Sequence, residues 1–228
     1  MEIQDDTEKH FALLAKQKEA LIKAKARQGQ RPTDRKSKFE AYNGFMQNVM
    51  ARQFRQKMQL DKGHTMIHSS FIPPAYPPCI TPVADLRPIQ IRDLQLETHH
   101  RGRCLILRSL TPPDRMTAIM AIMADERDDA ILVQLYQQED EDFRKAEDVV
   151  NTGTIFLVKE PYFKQTADGG YGLRLDHLSD FLRLNEDDSR IPAAWRSQSI
   201  KTGITANSLK LRGNTAMKKG EHWEAITL

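Results

Sequence analysis

Between Ile91 and Leu184 the apolar residues recur in short runs separated by turn signals, and no other long stretch of the chain does this. The runs are RCLILRSL, MTAIMAIMA, AILVQLYQQ, TIFLVKEPYFKQ and YGLRLDHLSDFLRL, with a short AEDVV piece before the fourth. Alternation at a period of two, as in Leu105 and Leu107 against Ile106 and Arg108, places one set of side chains on each face of a strand. MTAIMAIMA is nearly all apolar, so its pattern alone fits a strand covered on both sides or a helix. The polar loop Asp125–Asp129 and the alternating Ile131, Val133 and Leu135 after it decide for a hairpin.

The next pieces extend that reading. Asp142 is placed to cap a short helix running through Val150, and Asn151-Thr152-Gly153 stops it. The run from Thr154 to Lys164 and the run from Tyr171 to Leu175 flank Ala167-Asp168-Gly169-Gly170, whose glycines supply the positive backbone angles of a tight turn. Three strands, a helix and a closing hairpin is the order of an OB-type barrel. The fold class expected is α+β: basic N-terminal helices, an OB-like five-stranded β-barrel, and the start of a tetratricopeptide helical hairpin. Another small barrel or an open α+β sheet fits the same pattern.

The rest of the chain divides around that core: a basic helical arm over residues 1–62, a proline-rich linker over 63–90, the barrel over 91–184, a polar connector over 185–204 and an incomplete repeat over 205–228. Charge follows these divisions. The total of +3 conceals 14 Lys and Arg against 8 Asp and Glu up to Lys62, and 10 acids against 3 bases from Asp125 to Asp148. Separate surfaces with separate partners follow more naturally than a uniformly basic binder of nucleic acid.

The arm has apolar residues at helical spacing with lysines between them, acids at its start and bases at its end, as the helix dipole favours. Gly29 and Pro32 interrupt it before a second helical stretch from about Lys36 to Leu60. It reads first as a solvated or partner-bound helical pair. Nucleic acid or nuclear import is the second reading, through Lys23, Lys25, Arg27, Arg31, Arg35, Lys36 and Lys38. A membrane surface is the third, and it would want a more continuous apolar face. Six of the eleven prolines fall between Ile72 and Pro88, so that segment is extended; it is a packed linker or a ligand for a proline-reading domain.

The expected absences are equally specific. Cys79 and Cys104 are too few for a disulfide framework or a cysteine-rich zinc site. His99 and His100 lack partners at metal-ligand spacing, and Asp176, His177 and Asp180 read as surface polar groups. There is no phosphate-cradling glycine loop, no nucleophile elbow and no HExxH. Without a secretory leader or an apolar run of about 20 residues, the chain is expected in the cytoplasm or nucleus, away from membranes. No metal, cofactor or catalytic set is expected; OB barrels often bind single strands, but Glu139-Asp140-Glu141-Asp142 would repel phosphate.

Leu209, Lys210, Gly213-Asn214, Ala216, Gly220, Ala225 and Ile226 resemble the opening of a tetratricopeptide repeat, with His222 and Met217 as departures. A repeat needs about 34 residues, so the chain reads as the front of something longer. From about Pro82 onward, IRDLQLETHHRGRCLILRSLTPPDRMTAIMAIMADE, LVQLYQQEDE and IFLVKEPYFK resemble the N-terminal region of fungal proteins carrying tetratricopeptide repeats and a C-terminal SET domain. In that family the SET domain is a protein-lysine methyltransferase using S-adenosylmethionine, and neither its asparagine-histidine signature nor its zinc segments occur here. The resemblance also implies that Lys210 and Asn214 match the positions that clamp the C-terminal carboxylate of heat-shock chaperones. The function expected is therefore a non-catalytic protein-interaction region, not an enzyme, with proteins as partners and the oligomeric state open. The alternative is a nucleic-acid-associated OB-like module whose basic arm contacts phosphates.

Overall fold

A computed structural model of the chain describes residues 15, 18–20, 22–60, 74–166, 169–196 and 206–219. Its centre is one mixed sheet of ten strands: β1 (Arg87–Pro88), β2 (Thr98–His99), β3 (Arg103–Ser109), β4 (Asp114–Arg115), β5 (Ile119–Ala124), β6 (Ala130–Leu135), β7 (Ile155–Lys159), β8 (Tyr162–Gln165), β9 (Tyr171–Leu175) and β10 (Phe181–Arg183). Accompanying it are the helices α1 (Lys38–Leu60), α2 (Ala146–Val149) and α3 (Ala206–Lys219), and residues 22–26 ahead of α1 are also helical.

The strands hydrogen-bond in the order β10-β7-β3-β5-β6-β9-β8-β2, with β1 added to β3 and β4 to β5. β5 and β6 form the expected hairpin, with Ile119 opposite Leu135 and Ala124 opposite Ala130. β6 and β9 run parallel, while β7 and β8 pair antiparallel with β3 and β9 respectively.

The expected closed five-stranded barrel is corrected here to a sheet whose hydrogen-bonded path ends at β10 and β2. The reason lies in the run expected as one strand from Thr154 to Lys164. Glu160 takes a positive φ of 44°, and Pro161 after it has no N–H to give a ladder. One half of the run therefore serves β3 and β10, and the other serves β9 and β2.

Alternation on β3 divides the packing between two faces. Leu105 and Leu107 enter the main core with Val133, Leu135, Phe156 and Phe163. Cys104 joins a second cluster with Leu86, Leu157, Leu184 and Ile191, against which Ile106 packs. Phe156 stacks on Phe181 at 4.0 Å within the larger core. At about 25 cal/mol per Å² of apolar surface removed from water, these buried side chains supply most of the drive to fold.

Two helical expectations also change. The helix expected from Asp142 is only four residues long, Ala146–Val149, after Lys145 in extended conformation; a tight segment from Asp140 to Arg144 replaces its first turn. The expected tetratricopeptide hairpin reduces to the single helix α3, because the positions of its second helix lie outside the described residues, as do the arm residues before Ala15. Among the described residues no helix is long and apolar enough to cross a membrane.

Candidate functional site

α1 begins with a reciprocal cap. The Ser37 hydroxyl accepts the Glu40 backbone N–H, and a Glu40 carboxylate oxygen accepts the Ser37 backbone N–H at 2.8 Å. This satisfies donors that a helix start otherwise leaves open. One face of α1 then lies over β5 and β6. Arg52 on that face forms an ion pair with Asp114 of β4, with 16% and 8% of the two side chains exposed.

Ahead of α1 the chain is held down by its bases. Arg35 is half-buried: it donates to the carbonyls of Ile91 and Leu94 and sits 4.9 Å above the Phe163 ring. Burial pushes its pKa down, opposed by the carboxylates of Asp129 and Asp93. Tyr171 donates to Asp34 at 2.7 Å and accepts from Arg27 at 3.1 Å. Arg31 lies 3.5 Å from Asp93, and Lys38 lies 2.6 Å from Asp128.

These contacts leave a cavity of about 280 Å³ between α1, the β6 entrance and the β8–β9 turn. Its position follows from the sheet. The parallel β6–β9 ladder runs only from Leu132–Gly172 to Leu135–Leu175, and Ala130, Ile131, Gly170 and Tyr171 line the space where the two chains part. Phe45, Ile91, Ile122 and Phe163 give it apolar walls, and Asp34, Arg35, Lys36, Asn48 and Thr166 bring polar side chains to it. Next to this lining, Gly172 keeps β9 close to β6: a Cβ there would meet the Leu132 carbonyl at 3.0 Å and the Thr166 methyl at 3.1 Å.

A second cluster holds the proline-rich segment against the sheet. Asp176 and Asp180, expected as surface groups, are 2% and 0% exposed. Asp176 accepts the Tyr76 backbone N–H at 3.2 Å and Asp180 accepts that of Cys79 at 3.0 Å. Asp176 also pairs with buried Arg174 at 2.7 Å, and Lys159 lies 3.4 Å from Asp180. The proline segment is thus strapped to the sheet by buried carboxylates. Tyr76 packs edge-on against His99, Tyr162 and His177. Burial, and next the Glu97 carboxylate, push the Tyr162 hydroxyl up to about 12, while burial pushes Lys164 down.

The residues singled out in the sequence fall in several places. Lys36 is exposed at the cavity; Lys25 is exposed, and Lys23 pairs with Glu19 at 2.7 Å. Arg27, Arg31, Arg35 and Lys38 bond to the sheet domain, as given above. Lys210 and Asn214 are both exposed on α3. The cavity itself was not legible, because its walls come from segments more than a hundred residues apart; only the helical stretch expected from about Lys36 to Leu60 announced the element that roofs it.

No family model matches the chain. It is 40% identical over 182 residues, 80% of its length, to a protein of Gibberella zeae named Methyltransferase, and it spans 24% of that protein. An alignment of that length in 228 residues takes in most of the sheet. This similarity overturns the expectation of a non-catalytic, non-enzyme chain, which rested on missing motifs within a short sequence. The chain is thus similar to about a quarter of a fungal protein named Methyltransferase.

Proposed function

We propose that this chain works in methyl transfer, as a section of a methyltransferase polypeptide. The single observation that carries the reading is its 40% identity to the Gibberella zeae methyltransferase over four-fifths of its own length. Repeat-and-SET organisation is the finer form of the proposal. α3, which bears Lys210, Gly213, Asn214 and Ala216, supports the opening helix of a repeat. The strand order β3-β5-β6-β9-β8, with β7 returning to β3, supports an opened relative of the OB barrel.

The methyl donor implied by that reading, S-adenosylmethionine, does not fit the cavity under α1. Its sulfonium and ammonium are two cations against one carboxylate, whereas the charged groups at the cavity are Arg35, Lys36 and an Asp34 already engaged by Tyr171. Like charges brought together in a partly desolvated site repel. No step of methyl transfer is therefore placed on the residues of this cavity.

The test uses the longer relative. Its transfer of label from tritiated S-adenosylmethionine to core histones is compared before and after deletion of the stretch similar to this chain. Transfer is expected to fall at least about tenfold, a loss of some 1.4 kcal/mol in transition-state stabilisation, and to recover when the 228-residue chain is added back. Undiminished transfer by a deletion variant that still melts cooperatively would overturn the proposal.

A further inference from the structure

We propose that the cavity under α1 is a binding site for an apolar group bearing a carboxylate. The inference stands on the cavity's own chemistry and is independent of the methyltransferase reading. The volume of about 280 Å³ lies just below the range of drug-sized pockets, so the occupant is about one ring system or one large side chain. Phe45, Ile122, Ile131 and the buried ring of Phe163 give it an apolar bed, where removal from water is favourable.

The polar rim sets the sign of the head group. Asp34, the one carboxylate lining the space, is already spent on the Tyr171 hydroxyl and faces Arg27 at 3.9 Å. Lys36 and Asn48 are exposed at this rim, the Lys36 ammonium acting at longer range on the Glu40 carboxylate, which is itself bonded to Ser37, and Arg35 contributes a half-buried positive charge behind them. The unspent groups are therefore an ammonium and an amide beside a guanidinium. Such a set is complementary to an anionic acceptor, and charge-assisted hydrogen bonds are stronger than neutral ones. A cation would meet repulsion and no unspent carboxylate.

The head group can come from a small organic acid or from the C-terminus of a peptide, and two probes distinguish these sources. The intact chain is titrated with indole-3-acetate and with acetyl-Gly-Gly-Phe bearing a free carboxylate, while the backbone amides of Ala130, Gly170 and Tyr171 are followed by NMR. Saturable shifts at those amides are expected with at least one probe, and the tighter one names the source. Amidation of the peptide, or Lys36→Glu, is expected to weaken binding about tenfold. Ala41→Trp, which fills the space from the helix side, is expected to abolish it. Lys36→Gln, a change at an exposed side chain, provides a second variant if Ala41→Trp melts early. No saturable shift at these amides with either probe, or affinity unchanged by both Lys36→Glu and Lys36→Gln, would overturn the proposal.

Discussion

The sheet and the arm that lies over it are held by different means. The sheet is held by the apolar faces of its alternating strands, and its interior residues Leu107, Val133 and Leu173 are fully excluded from water. The arm buries little of its own. Phe39, Met50, Phe54 and Met58 of α1 are exposed, and the arm is held by Arg27, Arg31, Arg35, Lys38 and Arg52 reaching to groups on the domain. A run of bases in a sequence says that charge is present. Whether that charge faces solvent depends on acids and carbonyls far along the chain.

The difference is open to attack from both sides. The largest effect is expected in the sheet: Leu135, 2% exposed, replaced by Asp should cost about 4 kcal/mol or more, since an unpaired charge enters the core. Urea unfolding should show no folded baseline, and a normal midpoint would mean the inward face is wrongly placed. Arg52→Ala should come next, at about 3 kcal/mol, because it leaves Asp114 buried without its ion-pair partner. Limited proteolysis should then cut α1 before the sheet; equal resistance of the two would deny that the arm hangs on that pair.

Gly172→Val tests the sheet beside the cavity, since the new side chain presses on Leu132 across the β6–β9 ladder and on Thr166. Pressing a side chain against the Leu132 carbonyl should cost about 1–3 kcal/mol, read as a lower melting temperature; an unshifted transition would show that β6 and β9 can spread freely.

The smallest effect is a pH dependence. His100 is 8% exposed; its Nε2 accepts the Gln95 N–H at 3.0 Å, so Nδ1 carries the proton and donates to the Pro161 carbonyl at 3.0 Å. Burial first of all lowers its pKa. Below the unfolded value of about 6.5 the unfolded chain binds a proton that the folded chain resists. Stability should thus fall as pH drops from about 6.5 toward the lower folded value, and hold level above it. His99, also lowered chiefly by burial, acts in the same direction. His100→Gln should flatten part of that slope in urea midpoints measured across the window, and an unchanged slope would remove His100 as its source.

Much of the sheet was readable because its signals are local. The alternation of RCLILRSL gave β3 and its two faces, and DERDD between two apolar runs gave the β5–β6 hairpin. The division of β7 from β8 also had a local mark in Pro161, but the apolar run around it outweighed that mark. The strap could not be read. Asp176 and Asp180 meet Tyr76 and Cys79 across about a hundred residues of chain, and carboxylates beside a histidine look solvated until the fold brings backbone N–H groups to them. The cavity failed to show for the same reason: Arg35, Ala130 and Gly170 share a space but no sequence pattern.

The central claim is that α1 belongs to the sheet domain and is not a loose basic appendage. Native-state hydrogen exchange of the intact chain tests it most directly. The amides of Phe45, Val49 and Gln53 should be protected by several kcal/mol, with α1 and the β5–β6 hairpin both losing protection in Arg52→Ala. Exchange of α1 at the rate of an isolated helix, beside a fully protected hairpin, would contradict it.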